Sequence, residues 1–208
     1  MAAPIIVYDL DGTLADTAGD LMGALNFVLE RDGLAPLPVE NARSLLGAGG
    51  RALIERGFAA SGRELSPQKL EVLFGDFLAH YNAHIAVHTR LYPGVLAALD
   101  AFSAAGWVQA ICTNKIEASA KLLIRRLGVA KPDPKPLIGT VVAAGGSKGR
   151  AIMVGDSATD IKTARAAGLP VIAVDFGYTD VPVTELGPDR VISHFDELEA
   201  ACADLMPV

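Results

Sequence analysis

The chain has 208 residues, 51% of them hydrophobic, with a net charge of −6 and a mean hydropathy of +0.35. Such a chain can bury a substantial core, and its acidic balance argues against a broad basic surface for nucleic acid or anionic membrane. Two cysteines give no disulfide framework, no apolar run reaches membrane-spanning length, and the first strand starts too early for a signal peptide, so a reduced cytoplasm is the expected setting.

An apolar, β-prone run from Ile5 to Tyr8 predicts a buried strand over 5–9 that leads into Asp9 and Asp11. Side chains at i and i+2 share a face. Both carboxylates can therefore approach one ligand, and neither ionises there cheaply without a cation. Gly12 can take the tight backbone angles needed just past the strand. After residues 13–17 a helical pattern runs to about Leu29, with Thr17 and Asp20 spaced as a capping box. From there to about His84 no strand is predicted. Helical pieces near 38–46, 50–60 and 66–84 are divided by Pro36, Pro38, Gly47, Gly49, Gly50 and Gly62, and Ser66-Pro67 is a good helix start. His80, His84 and His88 recur every four residues and read as a polar helix face rather than a metal site.

Helix and strand then alternate. The pattern predicts helix 93–105, strand 107–112, helices 115–127 and 133–144, strand 151–155, helix 158–167, strand 170–174, a short strand at 190–193 and a last helix to about Leu205. That rhythm defines an α/β fold, a doubly wound, Rossmann-like parallel sheet interrupted by an all-helical insert. In such a sheet the carboxyl ends of the strands lie along one rim, where ligands bind. Asp9, Asp11, Thr113, Asp156 and Asp160 should converge there, which points to phosphoryl transfer.

Asp-Leu-Asp-Gly-Thr at 9–13, Thr113-Asn114, Lys131 and Gly-Asp-Ser-Ala-Thr-Asp at 155–160 resemble the four ordered motifs of the haloacid dehalogenase superfamily. Leu-Leu-Gly-Ala-Gly-Gly-Arg-Ala-Leu at 45–53, Leu-Tyr-Pro-Gly-Val at 91–95, Phe-Gly-Tyr at 176–178 and Pro-Asp-Arg-Val-Ile-Ser at 188–193 resemble phosphoglycolate phosphatases. The resemblance implies that Asp9 is the nucleophile, forming an aspartyl-phosphate, and that Asp11 is the acid and then the base. It implies Mg²⁺ held by Asp9, the backbone carbonyl of Asp11 and Asp156, with Asp160 behind them. Oxygen-only ligands suit this ion and argue against zinc. Gly12, the Thr113 hydroxyl, the Asn114 N–H and the Lys131 ammonium would surround the phosphoryl group.

The resemblance also divides the chain into an α/β core, 1–15 and 88–208, and a helical cap, 16–87, hinged at about 13–17 and 85–90. Arg51, beside the glycines at 47–50, would meet a small carboxylate at the substrate's other end, or else is a surface helix arginine. The implied partner is a small phosphorylated metabolite, with 2-phosphoglycolate favoured, and monomer and homodimer both stay open. Alternatives are a sugar phosphomutase on the same core, a dehalogenase, a signalling receiver module and a non-catalytic relative. The last is prompted by residues 128–131: only Val129 and Ala130 separate Gly128 from Lys131, where relatives usually carry another strand. An edge strand is therefore expected to be missing, leaving the reach of Lys131 to the phosphate in question.

Overall fold

The computed structural model describes residues 3–129, 133–134 and 150–206. Six parallel strands form the main sheet: β1 (Ile5–Tyr8), β4 (Val108–Ile111), β5 (Asp133–Pro134), β6 (Ala151–Gly155), β7 (Val171–Val174) and β8 (Arg190–Ile192), in the order β5-β4-β1-β6-β7-β8. β1 lies at the centre with all four residues fully buried. A strand covered on both faces needs a continuous apolar run rather than alternation. Accordingly, Ile6 and Tyr8 pack into the larger core with Ile152, Val154, Ile172 and Val174, while Ile5 and Val7 face a second cluster with Met153, Val171, Ile161 and Ala164.

A separate ribbon pairs β2 (Ala15–Asp16) antiparallel with β3 (Arg90–Leu91). Between its two strands lie the insert's helices: α1 (Ala18–Arg31), α2 (Ala42–Leu45), α3 (Gly50–Ala60) and α4 (Pro67–Ala83). The expected N-terminus of α4 is present, with Ser66 accepting from the Lys69 N–H and Pro67 in the first turn. On the sheet, α5 (Val95–Ala104), α6 (Glu117–Arg126), α7 (Ala158–Ala167) and α8 (Leu198–Leu205) complete the double winding. No described helix is long and apolar enough to cross a membrane.

Three expectations are corrected. The helix expected from 133 begins instead as strand β5, because a residue before proline is pushed out of the α region, and the rest of that segment lies outside the described residues. Its pairing, Ala110 with Asp133 and Ile111 with Pro134, means the sheet edge is present but two residues long; proline is tolerated there because an edge strand needs no donor on its outer side.

The third correction concerns the capping box at the start of α1. The Thr17 side chain does not cap the helix; its hydroxyl donates to Asp11 Oδ1 at 2.8 Å. Asp20 instead reaches across to the insert's exit, accepting from the His88 N–H at 3.0 Å, the Thr89 N–H at 3.0 Å and the Thr89 hydroxyl at 2.7 Å. With Asp20 and Thr89 both buried, removing the acceptor strands several donors, each costing roughly 1–3 kcal/mol. Asp20→Ala is expected to destabilise the fold by about 3 kcal/mol in chemical denaturation; an unchanged midpoint would show that these bonds contribute nothing.

Candidate active site

The rim is built by strand ends. Asp9 follows β1, and its N–H continues the ladder by donating to the Val154 carbonyl at 2.8 Å. Thr113 lies two residues past β4, and Asp156 directly follows β6. Carboxylate oxygens of Asp9, Asp156 and Asp160 lie within 4.8 Å of one another. Asp160 is held by a capping box at the start of α7: its carboxylate accepts from the Ser157 N–H at 3.0 Å and the Ser157 hydroxyl at 2.6 Å. Asp156 accepts from the Thr13 hydroxyl at 2.9 Å and the Tyr178 N–H at 2.8 Å.

Burial, followed by repulsion from Asp160, Asp156 and Asp11, pushes Asp9 well above the usual carboxylate range. Asp156 is pushed up to about 7, by burial first and then by Asp160. Asp160 is also raised by burial, against the hydrogen bonds from Ser157. Three carboxylates this close cannot all ionise without a cation among them. Hard oxygen donors, buried and convergent, fit Mg²⁺.

A test follows from the sign of these shifts. Asp156 titrates near 3.8 when exposed and about 7 when folded, so between those values the folded state binds more protons and metal-free stability falls as pH rises. A divalent ion needs the ionised forms. Stabilisation of the melting temperature by Mg²⁺ is therefore expected to be small near pH 5 and large near pH 8; an equal shift at both, or none, would contradict a cation in this cluster.

Two glycines leave room for Asp156. Gly12 has φ +85°, and a Cβ there would lie 2.5 Å from Asp156 Oδ2; its N–H donates to the Ala15 carbonyl at 2.9 Å. A Cβ on Gly177 would lie 2.2 Å from the Asp156 Cβ. The contribution of both residues is space and backbone shape.

Asp11 is not one of the three clustered carboxylates. Its carboxylate pairs with Lys115 Nζ at 2.8 and 2.9 Å and accepts from Thr17. Lys115 is only 6% exposed and lies 4.7 Å from the ring centroid of Tyr81 on α4. Burial works against its charge, but Asp11 and then Tyr81 outweigh this and hold it above the ordinary lysine range. Sequence reasoning passed over Lys115, because a lysine after a strand end is usually solvated; its only signal is its place immediately after Thr113-Asn114.

Tyr178 was also missed as a site residue. Its hydroxyl accepts from the N–H groups of Thr17 and Ala18 and donates to Asp16 Oδ1 at 2.7 Å, tying the 176–178 turn to the insert's entry.

A cavity of about 370 Å³ opens over the rim. The core contributes Asp9, Asp11, Thr113, Asn114, Lys115 and Asp160; the insert contributes Leu46, the glycines at 47, 49 and 50, Arg51, Leu53, Phe74, Phe77, Leu78 and Tyr81. The Thr113 hydroxyl accepts from the Lys115 N–H at 3.2 Å. Arg51 lines the wall, but its guanidinium is engaged bidentately by Glu71 at 2.7 and 2.9 Å and lies 3.9 Å from the Phe74 ring centroid. Lys131 lies outside the described residues.

A parallel sheet with acidic groups at the ends of β1 and β6 and a helical insert over them is the architecture of a haloacid dehalogenase-like hydrolase. The model of that family matches residues 4–168, and the chain belongs to it. Phosphoglycolate phosphatases from Mesorhizobium japonicum and Agrobacterium fabrum are 48% and 43% identical to it, over 98% and 96% of this chain and 96% and 92% of theirs. The first alignment runs over 219 positions, more than the 208 residues here, so that relative carries residues this chain lacks. Among solved structures, one from Haemophilus somnus described as a predicted phosphoglycolate phosphatase is 25% identical with a TM-score of 0.86, covering 96% of this chain and 97% of that one. Another, from Lactobacillus delbrueckii, has a TM-score of 0.88 at 22% identity over 97% and 99%, a likeness of fold. Within the family, this chain is phosphoglycolate phosphatase-like over nearly its whole length.

Proposed function

We propose that this chain is a Mg²⁺-dependent phosphatase that hydrolyses a small phosphomonoester, 2-phosphoglycolate, by way of an aspartyl-phosphate on Asp9. The observation that carries the reading is the convergence of half-buried Asp9 on buried Asp156 and Asp160, with Asp11 two residues from Asp9 and reaching the same cavity. The phosphoglycolate phosphatase names of the relatives support the choice of substrate.

In this reading an Asp9 oxygen attacks phosphorus, and the phosphorus–ester oxygen bond breaks. Asp11 gives the departing alkoxide its proton. A water then attacks the phosphoryl group, Asp11 takes the water's proton, and Asp9 leaves as a free carboxylate. Asp9, the Asp11 carbonyl and Asp156 would hold the ion, with Asp160 beside them. When bound, the ion supplies positive charge that offsets the carboxylates and the phosphate oxygens. The Thr113 hydroxyl, the Asn114 N–H and Lys131 would orient the phosphoryl group, and Gly12 shapes the turn beneath it.

The division into core 1–15 and 88–208 and cap 16–87 fits the β2–β3 ribbon, which brings both boundaries together. The cap would close over the rim, exclude water and open to release product. Arg51 bonds Glu71 through Nε and Nη2 and keeps its Nη1 donors for a substrate carboxylate.

A sugar phosphomutase would share the core chemistry. Its substrate, however, needs polar partners for many hydroxyls, and the cap side of the cavity is mostly Leu, Phe and Tyr. The test is a panel of small phosphomonoesters, including 2-phosphoglycolate and hexose phosphates, with and without Mg²⁺. Free phosphate from 2-phosphoglycolate, dependent on Mg²⁺, is expected. A flat panel would favour a non-catalytic chain, and phosphoryl return to a sugar would favour the mutase.

A further inference from the structure

We infer that Lys115 and Tyr81 form the subsite that recognises the substrate's carboxylate, so that specificity is set where core and cap meet. This rests on the phosphatase reading above. Two neighbouring features point to it. The first is Lys115 itself: a buried ammonium lines the cavity, with its hydrogen bonds directed to Asp11 and its charge beside the Tyr81 ring. An ammonium has three donors, and a carboxylate with two oxygens leaves one for another anion. The second is the Tyr81 hydroxyl. Tyr81 is 1% exposed and lines the same cavity, and its hydroxyl is a buried polar atom with no hydrogen-bond partner among the described residues. A buried hydroxyl left unpaired is costly, and a ligand oxygen at this place would satisfy it.

The position selects the kind of substrate. Asp11 addresses the ester oxygen in the proposed reaction, and Lys115 Nζ lies 2.8 and 2.9 Å from the Asp11 oxygens. A carboxylate on the carbon bearing that ester oxygen therefore falls within reach of the ammonium, whereas Phe74, Phe77 and Leu78 elsewhere in the lining offer a carboxylate no donor. The substrate class is a phosphate ester of a short 2-hydroxy acid.

The experiment compares kcat/KM for 2-phosphoglycolate and for ethyl phosphate, which replaces the carboxylate with a methyl group. Wild type is expected to prefer 2-phosphoglycolate by about 10²-fold or more. Lys115→Met should collapse that ratio to within about tenfold, chiefly through KM, and Lys115→Arg should recover part of it. Tyr81→Phe, the milder change, should lower the ratio several-fold in the same direction. Equal losses on both esters in Lys115→Met, with the ratio kept in Tyr81→Phe, would overturn the inference and leave Lys115 acting on Asp11 alone. A wild type that hydrolyses both esters equally overturns it while leaving the phosphatase reading intact. No phosphate from either ester would end both.

Discussion

Asp9→Asn is expected to lower kcat by about 10⁴-fold or more while leaving the fold intact. The amide has nearly the shape of the carboxylate but not its nucleophilicity, so the step that forms the aspartyl-phosphate is lost. Stability should not suffer, because Asp9 is a half-buried group whose neighbours Asp160, Asp156 and Asp11 all disfavour its charge. In metal-free protein at pH 8, neutralising it removes repulsion, and the melting temperature is expected to hold or rise. Phosphate release and thermal melts on the same preparation separate the two effects. Activity within tenfold of wild type, roughly 1.4 kcal/mol in the barrier, would be incompatible with a covalent role.

The second large effect is expected from a residue with no functional group. In Gly177→Ala the new methyl would lie 2.2 Å from the Asp156 Cβ and 2.3 Å from its Oδ2. The turn cannot simply withdraw, because the next residue's N–H donates to that oxygen at 2.8 Å and its hydroxyl is tied to the entry of α1. Something must shift, and the element against the methyl is a residue proposed to hold the cation. Gly177→Ala is expected to raise the Mg²⁺ concentration for half-maximal activity by at least about tenfold, in the range seen when groups supporting metal ligands are changed. Overpacking should also cost about 1–3 kcal/mol of stability. Gly23→Ala makes the control, since a Cβ there meets nothing within 4 Å and alanine favours the helix. An unaltered Mg²⁺ requirement in Gly177→Ala would show that the position of Asp156 is not what this glycine protects.

The strands of the main sheet were readable because buried parallel strands are written as continuous apolar runs, and Ile5–Tyr8, 151–154 and Val171–Val174 are such runs. Their carboxyl ends could be placed on one rim by topology alone, so the meeting of Asp9, Asp156 and Asp160 was legible. The ribbon at Ala15–Asp16 and Arg90–Leu91 was not, because two residues carry no period. Asp133–Pro134 was read as the start of a helix for the same reason, in a stretch where the proline was the better guide. Thr17 and Asp20 have the spacing of a cap, yet tertiary partners took both: Asp11 for the hydroxyl, and the 88–89 backbone with the Thr89 hydroxyl for the carboxylate. Lys115 and Tyr81 come from separate parts of the chain, and only folding brings an α4 ring onto the ammonium after β4. Pairings of this kind have no local signature. Arg51 was marked by its sequence setting, but the Glu71 that holds it lies a helix away.

On the proposed reading Asp9 carries the phosphoryl group between substrate and water. Wild-type protein mixed with 2-phosphoglycolate and Mg²⁺, quenched in acid within one turnover and reduced with borohydride, tests it directly by peptide mass spectrometry. Conversion of residue 9 to homoserine, absent without Mg²⁺ and absent in Asp9→Asn, is the expected result. Turnover with residue 9 unmodified, or with the label on another carboxylate, would contradict it.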